Sequence, residues 1–139
     1  RELAGREGVA DRVVFLGNRT DIPELVKSAS VGVQASHWEG FGLTVVEMMA
    51  GGLPVVASDV SGLREIVGDK GLLVQPGNAG ALAEAFDRIL GDTTLSGRMS
   101  REGMEYARQF SIKKCAERHI DMYKEIARQE LRPLRSSRS

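Results

Sequence analysis

The sequence has little cysteine, few aromatic residues and no excess of charge of either sign. Cys115 is the single cysteine, so the chain can form neither an internal disulfide nor a cysteine-built metal cluster, which is typical of a reducing compartment. The 19 Lys and Arg residues balance 19 Asp and Glu residues, so no overall basic field exists to attract nucleic-acid phosphates. We therefore expect a cytoplasmic protein with no nucleic-acid partner.

Long hydrophobic runs are missing as well. No stretch approaches the roughly 20 apolar residues that span a bilayer. No signal-peptide core follows Arg1 and Glu2. These absences predict a soluble chain and leave open a peripheral contact with the inner face of the cell membrane.

The composition that remains is that of one globular domain. Hydrophobic residues make up 42% of the 139 residues, and burying them can offset the conformational entropy that folding costs. We expect one domain over residues 1–130. Residues 131–139 show no hydrophobic period, and we expect them to form a disordered tail.

Strands and helices alternate in the first half of the sequence. Apolar, mostly β-branched runs predict strands at residues 12–16, 30–35, 54–58 and 71–74, and helical patterns at 21–28, 43–50 and 62–67 lie between them. This alternation predicts an α/β fold, a Rossmann-like parallel sheet with helices on both faces. Three further helices are predicted at residues 79–90, 93–109 and 111–130.

The last predicted helix has one apolar face, and Ser111 is placed to cap its start. We expect this face to pack on the domain, with His119 as a core histidine. Its members are Ile112, Cys115, Ala116, His119, Ile120, Tyr123 and Ile126.

The segment from Ser36 to Glu47 joins a predicted buried strand to a predicted buried helix. Ligands of open parallel sheets bind beside such connections, and the amides at the start of the following helix suit an anion such as pyrophosphate. Gly40 and Gly42 have no side chains, so we expect a ligand to approach the backbone closely at both.

Two carboxylates in this segment have both a functional and a structural interpretation. Glu39 and Glu47 could accept hydrogen bonds from sugar hydroxyls, for example from a ribose diol. Alternatively, Glu39 is a solvated loop acid, and Glu47 completes a capping box with Thr44. The neighbouring pair His37 and Trp38 could stack on a ligand, but we expect it to support the loop instead.

Several ordered blocks of this sequence resemble the family 4 retaining glycosyltransferases. The central block runs from EGFGL at residues 39–43 to Glu47 and continues as GGLPVVA at residues 51–57. Further blocks that resemble the family pattern are residues 14–17, 62–67, 71–77 and 81–83. The resemblance covers roughly residues 3 to 125, and its ordered blocks make it specific.

The resemblance implies a GT-B enzyme with two Rossmann-like domains, of which this chain is the C-terminal, donor-binding one without its first strand. It implies that Glu39 contacts the transferred sugar near the reacting face and that Glu47 holds the ribose hydroxyls. The amides of Phe41, Gly42, Leu43 and Thr44 are implied to approach the sugar and pyrophosphate, and Asn18 and Arg19 to lie near the base. The resemblance implies no cofactor and no obligatory metal.

The predicted function is transfer of a hexose from a nucleoside diphosphate sugar to an acceptor with retention of configuration. The sequence leaves the acceptor open among lipopolysaccharide, other bacterial envelope glycans and small molecules, and the resemblance favours a lipid-linked glycan. Family members carry an upstream Arg and Lys for the pyrophosphate and an N-terminal acceptor domain. Neither is in this sequence, so we expect the chain alone to be inactive. The alternatives are a GT-B epimerase or phosphorylase, or a non-catalytic nucleotide-binding α/β domain.

Overall fold

A three-stranded parallel sheet forms the centre of the fold in a computed structural model, which describes residues 1–136 and the side chains of residues 1–129. Its strands are β1 (Gly32–Gln34), β2 (Val55–Ser58) and β3 (Leu72–Val74), in that spatial order. In the register of the sheet, Val33 lies opposite Val56 and Ala57 lies opposite Leu73. The three strands lie within predicted runs, and the parallel sheet is confirmed.

Helices connect the strands and follow them along the chain. Their bounds are α1 (Glu2–Arg6), α2 (Ile22–Ser28), α3 (Leu43–Ala50), α4 (Ser61–Val67), α5 (Ala79–Gly91), α6 (Thr93–Ala107) and α7 (Ile112–Ser136), with 3-10 turns at Ala10–Arg12 and Arg108–Phe110. The α5 and α6 helices begin at side-chain caps, since Asn78 accepts a hydrogen bond from the Ala81 amide and Asp92 from the Leu95 amide, both at 2.9 Å.

The core lies on both faces of the central strand β2. Val55 and Ala57 pack with residues of α3 and α4 on one face, whereas Val56 packs with residues of α5 and α6 on the other. Alternating side chains of a strand point to opposite faces, so β2 is buried on both sides. This arrangement confirms the prediction of helices on both faces of the sheet.

The strand predicted at residues 12–16 is wrong. Arg12 ends a 3-10 turn, residues 13–16 continue as unpaired chain, and Val14 is 78% exposed. The apolar, β-branched pattern indicates strand propensity. A strand also needs a neighbouring strand with which it exchanges backbone hydrogen bonds. Among the described residues this run has no such neighbour.

The predicted packing of the α7 apolar face is also wrong. The described side chains of α7 are all exposed, Ile112 to 89%, and the helix leaves the domain from the 3-10 turn that precedes it. His119 is therefore no core histidine; its ring Nδ1 lies 2.8 Å from the carbonyl oxygen of Cys115. The helix is amphipathic as predicted, but within the described residues nothing covers its apolar face. Ser111 does cap its start, with its hydroxyl 3.4 Å from the Lys114 amide.

The end of α7 lies at Ser136, six residues beyond the predicted end at residue 130. The α7 helix continues past residue 130 to Ser136, through Leu131, Arg132, Leu134 and Arg135, residue types of high helix propensity, although Pro133 lies among them. The last part of the predicted tail, residues 137–139, lies outside the described residues. Among the described residues, no helix combines the length and the apolar character needed to cross a membrane.

Candidate functional site

The carboxylate of Glu39 is held against its own loop. It accepts hydrogen bonds from the amides of Gly40 at 3.0 Å and Phe41 at 3.4 Å, and from the side-chain amide of Gln34 at 3.4 Å. Glu39 is partly buried. Three donors therefore orient this carboxylate at the end of β1, and its contact with a sugar stays a prediction.

The backbone of helix α4 packs directly against the loop at Gly62. A Cβ atom at this position would overlap the carbonyl oxygen of Glu39 and lie 2.9 Å from that of Gly40. The backbone of α4 therefore contacts the Glu39–Gly40 peptide directly. Sequence reasoning used Gly62 only as part of a family pattern and missed this contact, since no local signal shows which distant backbone a glycine touches.

The two glycines of the loop have different roles. Gly42 has φ of 94°, which L side chains rarely adopt, and a Cβ there would lie 2.8 Å from Cδ2 of Leu63. Leu63 therefore fills the side-chain position of Gly42, and the close approach of a ligand to the Gly42 backbone stays a prediction. At Gly40 a Cβ would meet only the Trp38 ring, at 3.7 Å, so the backbone is accessible there.

The start of α3 presents unpaired backbone donors. The amides of Val45 and Val46 donate to the carbonyl oxygen of Gly42, at 3.0 and 3.2 Å. The amides of Gly42, Leu43 and Thr44 have no acceptor among the described residues. These orphan donors, together with the helix dipole, form the kind of site that binds an anionic group.

Glu47 takes no part in a capping box. The helix begins at Leu43 with Gly42 as its N-cap, so Thr44 is already inside the helix and makes no side-chain cap. Glu47 is exposed, and its carboxylate accepts no hydrogen bond from the described residues. The capping interpretation is therefore wrong, and the carboxylate remains available to a ligand.

Grooves run along both flanks of Glu47. One, of about 360 Å³, separates α3 from α2 and is lined by Ile22, Pro23, Val26, Lys27, Glu47, Ala50 and Gly51. The other, of about 450 Å³, lies between α3 and the end of α6 and includes Leu43 and Phe110 in its lining. The ring of Phe110 also packs edge-on against that of Phe41, with centroids 5.9 Å apart, which ties the loop to this second groove.

Asn18 and Arg19 lie apart from the loop of Glu39, just before α2. With Thr20 and Asp21 they line a surface depression of about 460 Å³. The Arg19 guanidinium donates to the Asp21 carboxylate, with Nε to Oδ1 at 2.7 Å, and this hydrogen bond holds the pKa of Asp21 below its usual range. The structure thus groups residues 39–44 with Glu47 and places Asn18 and Arg19 next to the α2 wall of the first groove.

Two polar residues, Ser58 and Asp59, lie at the end of β2. Ser58 is buried, and the Asp59 carboxylate pairs with Nε of Arg64 at 2.6 Å, which lowers the pKa of Asp59. This pair ties the turn after β2 to α4. Within the described part of the chain, three or more side chains of the metal-binding types come together nowhere.

A parallel α/β domain with orphan amides at a helix start beside two carboxylates is a nucleotide-binding type of domain. Comparisons with known proteins identify the family within this class. The sequence model of the family described as "Glycosyl transferases group 1" matches residues 1–92. The chain belongs to this glycosyltransferase family.

Individual relatives agree with this assignment. The lipopolysaccharide core biosynthesis mannosyltransferase LpsB of Rhizobium meliloti is 32% identical over 133 residues, which cover 92% of this chain and 38% of LpsB. The sucrose-phosphate synthase of Thermosynechococcus elongatus superposes with a TM-score of 0.84 at 33% identity, covering 92% of this chain and 33% of that chain. HepE of Anabaena, solved in complex with UDP-glucose, has a TM-score of 0.84 at 30% identity, covering 89% of this chain and 35% of HepE.

These comparisons confirm the predicted fold class. The chain has the Rossmann-like α/β fold of the C-terminal half of a GT-B glycosyltransferase. It spans about a third of the length of the curated relatives it matches.

Proposed function

We propose that this chain is the donor-binding part of a hexosyltransferase, which moves a hexose from a nucleoside diphosphate sugar to an acceptor with retention of configuration. The observation that carries the proposal is the set of free amides at the start of α3, with an oriented Glu39 before them and an unpaired Glu47 after them. The names of two relatives support it, since LpsB is a mannosyltransferase and HepE was solved with UDP-glucose. None of the relatives named above is an epimerase or a phosphorylase.

The pyrophosphate would lie at the start of α3. Its charge matches the positive end of the helix dipole, and the amides of Gly42, Leu43 and Thr44 offer hydrogen bonds that no group of the described residues uses. Gly42 makes this geometry possible because its positive φ turns the chain sharply into the helix.

The ribose would lie along α3 beside Glu47. Leu43 and Glu47 are four residues apart, so they share one face of the helix, about 6 Å apart along its axis. Both are exposed, whereas Val45, Val46, Met48 and Met49 form the buried face. A carboxylate at this distance from the pyrophosphate site can accept hydrogen bonds from both hydroxyls of a ribose. Asn18 and Arg19 lie near the base in this proposal.

The transferred sugar would lie against Glu39. Transfer of a glycosyl group builds up positive charge on the sugar ring, and a carboxylate fixed beside that ring stabilises the charge. The hydrogen bonds from Gly40, Phe41 and Gln34 hold the Glu39 carboxylate in place before substrate arrives, so little reorganisation is needed. We propose that the reaction needs no cofactor and no resident metal.

The acceptor would be held by an N-terminal domain that faces this one across a cleft. Two observations support such a partner: the chain spans about a third of its relatives, and the apolar face of α7 is uncovered among the described residues. The Arg and Lys that neutralise the pyrophosphate would lie on the first strand and loop of the donor-binding domain itself. We propose lipopolysaccharide or another envelope glycan as the acceptor, and a cytoplasmic enzyme that meets it at the inner face of the cell membrane.

The 139-residue chain alone is expected to bind a nucleotide sugar without transferring the sugar. The donor groups lie on this chain, but one wall of the cleft and the pyrophosphate cations do not, so the reacting atoms are never aligned. Calorimetric titration with UDP-glucose, GDP-mannose, ADP-glucose and TDP-glucose measures binding, and release of the nucleoside diphosphate measures turnover. Turnover at the rate of an intact family member would contradict the division of roles, and binding of none of the four would contradict the donor site itself.

Replacing Glu47 with glutamine is expected to weaken nucleoside diphosphate binding by about 1 to 3 kcal/mol, because the charge-assisted hydrogen bonds to the ribose are lost. The variant should fold normally, since the Glu47 carboxylate has no partner among the described residues. The measurement is calorimetric affinity for the nucleotide and for its 2'-deoxy analogue, with Glu65→Gln on α4 as a matched control. Should Glu47→Gln keep the preference for ribose at unchanged affinity, Glu47 is not the ribose ligand.

A further inference from the structure

Trp38, the single tryptophan of the chain, is exposed at the candidate site. It is 82% exposed, more than any other aromatic side chain among residues 1–129. An indole ring gains much free energy when it leaves water. Tryptophan is accordingly enriched where a protein binds a partner or ligand. Its exposure here needs an explanation, because the rest of the loop is tied down by hydrogen bonds and packing.

The ring lies over the outer side of the loop. Its Cη2 atom comes within 3.7 Å of the position that a Cβ of residue 40 would take, whereas Gly62 of α4 contacts the same loop from the inner side. Trp38 directly precedes Glu39 in the sequence, so both side chains belong to the same short loop. No aromatic ring of the described residues stacks on Trp38, so its face is available.

A pyranose has two kinds of surface that match these two side chains. Its hydroxyls bind carboxylates, and the C–H groups on one face of the ring bind the electron-rich face of an aromatic ring. An exposed indole beside a fixed carboxylate thus suits a sugar better than it suits a phosphate or a simple anion. The sugar proposed to lie against Glu39 is the hexose of the donor.

We propose that Trp38 stacks on the transferred hexose of the bound donor and contributes to the choice of that sugar. This inference rests on the proposed function, because it takes Glu39 as the group that contacts the hexose. Trp38 contacts the sugar, whereas the start of α3 and Glu47 bind the nucleotide. Its contribution is therefore confined to the difference in affinity between a nucleotide sugar and the bare nucleoside diphosphate.

The sole tryptophan makes the proposal directly measurable in the 139-residue chain. Indole fluorescence is expected to shift to shorter wavelength, and to become less accessible to acrylamide, on titration with UDP-glucose or GDP-mannose. UDP or GDP alone should leave both signals nearly unchanged. An equal response to the bare nucleotide would overturn the proposal in favour of stacking on the base.

Variants at position 38 test the energetic part. In Trp38→Ala the affinity for the nucleotide sugar should fall about fivefold to tenfold relative to that for the bare nucleotide, and Trp38→Tyr should restore most of the loss. The exposed position predicts an unchanged unfolding temperature. An unchanged affinity ratio in Trp38→Ala would overturn the inference alone, whereas failure of UDP, GDP and their sugars to bind the wild-type chain would overturn the donor site.

Discussion

Glutamine in place of Glu39 is expected to lower the rate of sugar transfer by the full-length protein about 100-fold or more, with little change in the unfolding temperature. The amide retains one carbonyl oxygen, which can still accept from Gly40. It loses the negative charge that would stabilise the developing positive charge on the sugar, and its NH2 group faces the donor of Gln34. Initial rates at saturating donor and thermal unfolding measure the two quantities.

Two further variants separate the charge of Glu39 from its position. Glu39→Asp keeps the charge but is one methylene shorter, so it should lose contact with the Gly40 amide and recover only part of the rate. Glu84→Gln makes the same chemical change on the exposed surface of α5 and should leave the rate unchanged. A Glu39→Gln protein that transfers sugar at the wild-type rate would remove Glu39 from the reacting centre.

The fold could be predicted wherever local pattern and burial agree. The apolar runs around Val33, Val56 and Leu73 form parallel strands, of which β2 is buried along its whole length, and the helix predicted at 43–50 has those bounds in the structure. The strand predicted at 12–16 and the packing predicted for the apolar face of α7 rested on equally clear patterns, and both predictions were wrong. A pattern shows that a surface is apolar or extended, but it does not show which neighbour covers it.

In the candidate site as well, features of one contiguous stretch could be predicted, whereas a contact between distant segments could not. Glu39, Glu47 and the start of α3 could be found from a short contiguous stretch, and the capping-box interpretation failed because it depended on the residue at which the helix begins. The role of Gly62 could not be found at all. Its contact with the Glu39–Gly40 peptide joins segments more than 20 residues apart, and glycine has no side chain from which such a contact could be inferred.

Alanine at Gly62 is expected to reduce transfer by about 100-fold in the full-length protein, although local propensity alone predicts a gain in stability. Ala in place of Gly inside a helix stabilises by about 0.5 to 1 kcal/mol. The new Cβ would overlap the carbonyl oxygen of Glu39, so either α4 or the loop must move by roughly 1 Å, and such misplacement costs about two orders of magnitude in rate. The loop is expected to move, because Leu63, Ile66 and Val67 anchor α4 in the core.

Gly97→Ala in α6 is the matched control for this prediction. Position 97 is also inside a helix, but a Cβ there makes only an ordinary 3.5 Å contact with the guanidinium of Arg101. It should therefore raise the unfolding temperature slightly and leave transfer unchanged, as the propensity argument alone predicts. If Gly62→Ala matches Gly97→Ala in both unfolding temperature and transfer rate, α4 moves instead of the loop and Glu39 keeps its position. The loop would then be positioned by its own hydrogen bonds rather than by contact with Gly62.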